Sequence, residues 1–123
     1  MKRSPPVTYD TIRRIGLEFP NAEESTSYGT PALKVRGKLF VRWREDDDPD
    51  TIVVKMPFDQ REELMAAEPG TYFITDHYRN YPWILVRLSK IHPDAIHELL
   101  QIGYREALPV ARPAAKRRPR PRA

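Results

Sequence analysis

The first patterned stretch of apolar and polar residues has the period of a helix. Ile12, Ile15 and Phe19 are spaced three and four residues apart, which places them on one face of a helix. Thr8 is a suitable N-cap, because its hydroxyl can accept a hydrogen bond from a free backbone N–H of the first turn. Pro20 cannot continue a helix and marks its predicted end. The sequence therefore predicts a first helix that buries one apolar side.

The next stretch alternates with a period of two, which is typical of strands. Turn signals at 28–31 and 36–38 delimit two strands, and residues 25–27 are assigned to a turn. Phe40 is assigned to the polar face of this hairpin together with the intervening cations. An acidic connection over 45–50 leads to a third predicted strand, from Thr51 to Met56. The predicted apolar face of the hairpin comprises Leu33, Val35, Leu39, Val41 and Trp43.

The second half of the chain predicts two helices around two strands. Asp59, with Glu62 three residues later, is typical of a capping box and indicates a short helix. Strands are predicted over 72–74 and 83–88, on either side of a compact loop. Pro93 opens a last helix, where its missing N–H has no cost. The apolar side of that helix comprises Ile96, Leu99, Leu100, Tyr104 and Ala107.

The order of elements, α-β-β-β-α-β-β-α, predicts an α+β fold of two layers. Short connections favour an antiparallel sheet of about five or six strands, with the helices packed on one face. A chain of 123 residues with 40% apolar residues suits one domain with a substantial core. We expect a single domain over 7–108, a disordered N-terminus over 1–6, and a disordered, basic Pro/Arg-rich tail over 109–123.

Charge is unevenly distributed along the chain. The net charge is +4, but the segment after residue 110 contains no acid and six cations, Arg112, Lys116, Arg117, Arg118, Arg120 and Arg122. Without them, 15 basic residues stand against 17 acidic ones. The net positive charge therefore comes from the tail, and it does not by itself indicate that the domain binds nucleic acid.

Composition also bears on the compartment and on the classes of site. The absence of cysteine excludes disulfides and thiolate metal ligands. No stretch approaches the roughly 20 apolar residues that cross a bilayer. We expect a cytoplasmic protein without a membrane partner, either a monomer or a weak homodimer, and without a cofactor.

The leading functional hypothesis is a non-enzymatic protein that binds DNA or another nucleic acid. If helices cover one sheet face, the alternation places a row of cations on the other, where they can neutralise phosphates. The alternative interpretation is an ordinary solvated strand face, partly neutralised by the acidic residues 45–50. The candidate nucleic-acid-binding residues are Lys34, Arg36, Arg42, Arg44, Lys55, Arg79, Trp83 and Arg87 in the domain, and Lys116, Arg117 and Arg118 in the tail.

A second hypothesis is a small-molecule or protein-binding domain with a pocket between the 28–31 turn and the aromatic loop 77–83. Such a pocket needs apolar walls and a few convergent polar groups. Under the first hypothesis, Tyr78, Tyr81 or Trp83 are instead candidates to stack on bases or to pack at the rim. The candidate pocket residues are Tyr28, Thr30, His77, Tyr78, Arg79 and Trp83.

The sequence gives less support for catalysis or metal binding than for either binding hypothesis. His77 with Asp76 and Tyr78 is the one group that resembles an acid–base set, and we interpret it as hydrogen bonding within the loop. A hydrolase would need a nucleophile within reach of His77. The acids at 46, 48 and 50 have the spacing of a calcium loop, but Thr51 occupies the position that requires glycine. No catalytic residue and no metal ligand is predicted.

Two segments, SYGTPALKVRGKLFVRW and FITDHYRNYPWILVRL, followed by a helix that begins with proline, resemble the MmcQ/YjbR family of small bacterial proteins. The resemblance covers residues 7 to 108, and its most specific parts are 28–31 and 77–83. It implies a CyaY-like, or frataxin-like, fold with a curved antiparallel sheet. Members are commonly labelled DNA-binding, and no catalytic residues carry over. Frataxins have an acidic first helix for iron, whereas here Arg13 and Arg14 accompany Asp10 and Glu18, so iron binding is not implied.

Overall fold

The structure is a computed structural model that describes residues 7–108. The predicted disordered segments 1–6 and 109–123, with Lys116, Arg117 and Arg118, lie outside the described residues. The helices are α1 (Tyr9–Gly16), α2 (Phe58–Ala67) and α3 (Pro93–Ala107). The strands are β1 (Ala22–Ser27), β2 (Thr30–Val35), β3 (Lys38–Trp43), β4 (Thr51–Lys55), β5 (Tyr72–Phe73) and β6 (Trp83–Arg87), with a short 3-10 helix, Asp76–Tyr78, between β5 and β6.

The six strands form one open sheet in the order β1-β2-β3-β4-β6-β5, and every neighbouring pair is antiparallel. Helix α3 packs against β2, β3 and β4, and α1 packs against α3, while α2 lies beside β5 and β6. Ile12, Ile96 and Leu100 bring α1 and α3 into the apolar core above the sheet. The predicted α+β class with an antiparallel sheet is confirmed.

Strand β1 is the element that the sequence did not predict. The sequence predicts a turn at residues 25–27, but they belong to an edge strand that pairs with β2 from Ala22 opposite Val35 to Ser27 opposite Thr30. Its sequence is almost entirely polar, and only Ala22 packs against the core. Because an edge strand can satisfy its backbone on one side and bury little, it leaves no apolar alternation. The observed order is therefore α-β-β-β-β-α-β-β-α.

A β-bulge in β3 reverses the predicted orientation of two large side chains. Leu33 lies opposite Val41, but the next residue, Lys34, lies opposite Leu39, so Phe40 is the extra residue. Phe40 is fully buried in the core, whereas Leu39 is only partly buried, on the same face as Lys34. The prediction that Leu39 faces the core and Phe40 faces solvent is wrong, because one inserted residue shifts the alternation by one.

The helix ends differ from the predicted ones in two places. Helix α1 ends at Gly16 rather than at Pro20, and a Cβ on Gly16 would lie 2.3 Å from the side chain of Leu33, so this helix end packs directly on β2. Helix α2 has Pro57 at its N-cap and no side-chain cap, so the capping box predicted at Asp59 is not formed. Both differences are local.

The acidic connection between β3 and β4 is fixed to the strand ends. The Thr51 hydroxyl donates to Asp48 (2.8 Å), and the amide and hydroxyl of Ser89 donate to the two carboxylate oxygens of Asp50 (2.8 and 2.6 Å). Within residues 7–108, no group of three or more histidine or acidic side chains is arranged to hold a metal ion. The helices of this same range are too short and too polar to cross a membrane.

Tyr9 has an unusual environment at the start of α1. Its ring is stacked on Trp43, with the centroids 5.2 Å apart, and its buried hydroxyl has no hydrogen-bond partner in the described chain. Burial raises the pKa of the Tyr9 phenol well above its ordinary value, and the Glu24 carboxylate raises it further. The folded state therefore holds this proton more tightly than the unfolded chain does.

We expect Tyr9→Phe to increase the free energy of unfolding by about 1 kcal/mol at pH 7, because it removes a buried donor without a partner. The stability that depends on the Tyr9 proton is fully present below the unfolded pKa of about 10 and is lost as the pH rises above it. The variant should lose less stability than the parent between pH 7 and pH 11. Part of the loss should remain in the variant, because burial also raises the pKa of Tyr72.

Urea unfolding at the two pH values measures both effects. Tyr81→Phe is the matched control, since Tyr81 is 57% exposed. A Tyr9→Phe variant that is less stable than the parent at pH 7 would show that the hydroxyl has a partner.

Candidate ligand-binding site on the sheet

The sheet face opposite α1 and α3 is the candidate site. In an antiparallel pair, residues directly opposite each other share a face. Arg42 lies opposite Val53, Lys55 opposite Trp83, and Thr51 opposite Arg87. By this register, the cations on the face opposite the core are Lys34, Arg42, Arg44, Lys55 and Arg87.

This face is not a flat row of solvated cations. Val53 and Leu85 lie on it, yet they are 2% and 0% exposed. The segment between β5 and β6 accounts for part of this cover, because the Tyr78 hydroxyl reaches β3 and accepts a hydrogen bond from Arg42 Nη2 (3.3 Å). The segment 74–82 thus folds over the sheet and turns the face into a concave surface.

Two adjoining clefts open between this segment and the β1–β2 turn. The first, called the sheet cleft below, has a volume of about 340 Å³ and is lined by Tyr28, Leu39, Arg42, Val53, His77, Tyr78, Tyr81 and Trp83. The second has a volume of about 410 Å³ and is lined by Tyr28, Thr30, Arg42, Arg44, Asp46, Asp47, Thr75, His77 and Tyr78. Five of the six predicted pocket residues therefore line one cleft or both.

Arg42 is the charged centre of the sheet cleft. Its Nη1 donates to the Thr30 hydroxyl (3.2 Å), its Nη2 donates to the Tyr78 hydroxyl, and its guanidinium lies 5.3 Å from the centre of the Tyr28 ring. None of these partners is charged. Among residues 7–108, no carboxylate forms an ion pair with Arg42. The cleft therefore combines aromatic walls with a positive charge that forms no ion pair among residues 7–108, although Asp46 and Asp47 line the adjoining cleft.

The acidic connection neutralises two other cations, as the alternative interpretation of the basic row expected. Arg44 lies 3.3 Å from Asp47, and Arg87 lies 3.8 Å from Asp48. The Arg87 guanidinium also covers the ring of Phe73 at 4.2 Å. These two arginines have less capacity for a ligand anion than Arg42 has.

The remaining predicted cations lie in three different settings. The Lys55 ammonium lies 4.9 Å from the centre of the Trp83 ring, and Lys55 lines a neighbouring cleft rather than the sheet cleft. Lys34 lies opposite Glu23 of β1, and Arg36 occupies the β2–β3 turn near the same glutamate. Arg79 forms an ion pair with Asp76 of its own turn and lines neither cleft. The structure thus does not bring Arg36 and Arg79 to the site.

Arg61 holds the aromatic loop in place, and sequence reasoning missed it. It is the one buried residue of α2, at 3% exposure. Its Nη1 donates to the carbonyls of Tyr78 (3.0 Å), Tyr81 (2.8 Å) and Trp83 (3.3 Å), and its Nη2 donates to that of Arg79 (3.1 Å). A cation beside two glutamates on a polar helix has the pattern of a solvated residue, so the sequence carries no local signal for this role.

His77 lies at the mouth of the cleft with its ring edge-on to Tyr78, the centroids 4.7 Å apart. The predicted hydrogen-bond set of His77, Asp76 and Tyr78 is not formed, because Asp76 pairs with Arg79 and the Tyr78 hydroxyl contacts Arg42. Within the described residues, no hydrogen bond joins His77 to a hydroxyl or a carboxylate. The arrangement as a whole suits a planar group with a negative charge beside it.

Solved structures and curated proteins provide relatives of this chain. The crystal structure of Deinococcus radiodurans protein DR2400, with the domain DUF419, matches with a TM-score of 0.70 and 24% identity, over 84% of this chain and 80% of that chain. This likeness shows the fold. Uncharacterized protein Rv2570 of Mycobacterium tuberculosis and Uncharacterized protein Mb2600 of Mycobacterium bovis are 49% identical over 37 residues.

That match covers 30% of this chain and 29% of each mycobacterial protein, so the chain spans less than a third of the curated relatives it matches. The family model described as YjbR matches residues 17–106, which include every strand and both cleft-forming segments. The family resemblance of the sequence is thereby confirmed, and the chain belongs to the MmcQ/YjbR family.

Proposed function

We propose that this chain is a non-enzymatic nucleic-acid-binding protein that contacts its ligand with the sheet face around the sheet cleft. The observation that carries the proposal is the setting of Arg42, an arginine without an acidic partner among residues 7–108, inside a cleft with aromatic walls. Arginine binds phosphate through charge-assisted hydrogen bonds, and aromatic rings stack on bases. Both kinds of contact are available within one cleft.

Lys34 and Lys55 extend the positive surface to either side of Arg42, on neighbouring strands of the same face. Each cation that neutralises a phosphate releases counterions, so affinity should fall steeply with salt concentration. The tail residues Lys116, Arg117 and Arg118 add contacts without sequence preference in this proposal. The setting that we propose is the cytoplasm of a bacterium, as a monomer or weak homodimer. The organisms of the similar proteins support only the bacterial origin.

Arg42→Gln is expected to weaken nucleic-acid binding about tenfold, since a hydrogen bond to a charged group contributes about 1.5 kcal/mol or more. Glutamine keeps an amide donor but removes the charge and shortens the side chain. Arg36→Gln is the matched control, because it removes the same charge at the far end of β2 and should change affinity less than about threefold. Fluorescence anisotropy with a labelled oligonucleotide at two salt concentrations measures both variants.

The same assay with residues 109–123 deleted separates the domain from the tail. Measurable, salt-dependent affinity of the shortened chain supports the proposal. Affinity that disappears entirely with the tail, or an Arg42→Gln variant that binds as tightly as the parent, would remove the sheet cleft from it.

A second candidate function is the binding of a free small molecule, which the concavity of the site favours. A volume of about 340 Å³ lies within the range of roughly 300–1,000 Å³ found for small-molecule sites. A nucleoside monophosphate or an aromatic carboxylate has the planar group and the charge that the cleft suits. A rise in melting temperature with such a compound, without any affinity for oligonucleotides, would favour this candidate.

A further inference from the structure

The backbone of the β1–β2 turn holds Tyr28 in a conformation that tyrosine rarely adopts. Ser27 pairs with Thr30, so the turn has two central residues, Tyr28 with φ of 54° and Gly29 with φ of 79°. Two positive φ values define a type I′ turn, in which asparagine or glycine is strongly preferred at the first position. A side chain with a Cβ is strained there, because the Cβ approaches the following carbonyl.

Burial does not explain why a large ring occupies this position. Tyr28 is 84% exposed, although it lines both clefts, and its ring lies 5.3 Å from the Arg42 guanidinium. The contact of the Tyr28 ring with the Arg42 guanidinium is the one stabilising contact of this ring among residues 7–108 that asparagine would not provide, and at an exposed site it contributes only about 0.5–1 kcal/mol. Strained residues of this kind occur at sites of ligand contact.

The β2–β3 turn provides an internal comparison. Arg36 and Gly37 have φ values of 51° and 81°, so this turn has the same type and the same strain. Strain alone therefore does not indicate a function. Arg36 is a charged side chain in solvent, whereas Tyr28 places an aromatic face beside a cationic cleft.

We infer that the sheet cleft takes up one unpaired base of a single-stranded nucleic acid, stacked on the ring of Tyr28, with the neighbouring phosphate at Arg42. The inference rests on the proposed function and names its ligand class. A base in a duplex is already stacked and paired, so its faces are not available to a cleft with rings on its walls. A single strand offers both a base face and a flexible phosphate, which is the combination that such platforms bind.

The test uses three variants of the full chain and three ligands. Tyr28→Asn, Tyr28→Phe and Arg36→Asn are titrated with a labelled single strand, with the duplex of the same sequence, and with a free nucleoside monophosphate as competitor. Loss of stacking on one base should weaken single-strand binding by Tyr28→Asn about tenfold, while Tyr28→Phe should bind within about twofold of the parent. Both asparagine variants should melt a few degrees higher, because asparagine relieves the turn strain.

Each outcome has one meaning. Stronger binding to the single strand than to the duplex, weakened by Tyr28→Asn and not by Arg36→Asn, supports the inference. Equal affinity for single strand and duplex, unchanged in Tyr28→Asn, overturns the inference and leaves the proposed function standing. Competition by the free nucleotide at the affinity of the strand overturns the strand as the ligand. No binding to any oligonucleotide overturns the proposed function itself.

Discussion

Arg61→Met is expected to lower the free energy of unfolding by about 3 kcal/mol and to weaken ligand binding more than tenfold. Methionine retains the length and the apolar stem of the side chain but provides no donors. The carbonyls of three loop residues, Tyr78, Arg79 and Tyr81, and of Trp83 in β6 then lose their hydrogen bonds to the guanidinium. The Tyr78 and Tyr81 carbonyls keep their backbone partners, the N–H groups of Tyr81 and Trp83. The expected cost is therefore that of the lost hydrogen bonds to a charged group, each of which contributes about 1.5–3 kcal/mol, and water replaces part of it once the loop moves. That movement removes Tyr78 and Tyr81 from the sheet cleft, while Trp83 stays in β6, paired with Lys55.

Two control variants separate this effect from a general loss of stability. Gln60→Met changes an exposed neighbour on the same helix and should alter stability by less than about 0.5 kcal/mol. Arg61→Lys keeps the charge but not the planar fork of donors, so its effect should be intermediate. Urea unfolding measures stability, and amide hydrogen exchange over 78–83 measures the loop. Unchanged exchange in Arg61→Met would show that the loop does not depend on this residue.

Phe40→Ala is expected to cost about 4 kcal/mol of unfolding free energy, the range observed when a buried phenylalanine is truncated. Phe40 is fully buried and meets the ring of Tyr104 edge-on, with the centroids 5.7 Å apart. The β-bulge places it there, at the junction of β3 and α3. Truncation would leave a cavity between the sheet and the helix.

Leu39→Ala is the matched control for the bulge. Leu39 lines the sheet cleft and is partly exposed, so its truncation should cost about 1 kcal/mol or less. If β3 alternated regularly without the bulge, Leu39 would be buried and Phe40 would not, so Leu39→Ala would cost more unfolding free energy than Phe40→Ala. Equilibrium unfolding of both variants therefore tests the register of β3, and a larger loss in Leu39→Ala would contradict it.

The sequence predicted those elements whose burial is periodic. The apolar residues of α1 and α3, and the alternation in β2, follow from one face packing on the core, whereas β4 and β6 read as short apolar runs because both of their faces are buried. Strand β1 was not predicted, because it pairs at the sheet edge with polar side chains and so shows no apolar alternation. The bulge at Phe40 was not predicted from the sequence, because one inserted residue changes the geometry of the strand and not its composition.

The candidate site was predictable only in part, for a related reason. Tyr28, Thr30, His77, Tyr78 and Trp83 were placed together because two distinctive segments contain them. Arg61 and Val53 come from elements without any distinctive signal, and they reach the site through contacts that form only in the folded chain. Arg79 belongs to a distinctive segment but pairs with Asp76 of its own turn. Its position next to the cleft residues in the sequence therefore does not make it a residue of the site.

The central claim is that the sheet cleft is the ligand site, and the two tryptophans of the chain allow a direct test. The Trp83 indole borders the cleft, whereas the Trp43 indole donates to the Pro49 carbonyl (2.9 Å) and its ring is stacked on Tyr9, on the other side of the sheet. In ¹⁵N-resolved NMR spectra of the full chain titrated with a single-stranded oligonucleotide, we expect the Trp83 indole and the amides of 28–30, 42 and 75–83 to shift, while the Trp43 indole stays in place. Shifts confined to residues 109–123, or shifts of the Trp43 indole without the Trp83 indole, would contradict the claim.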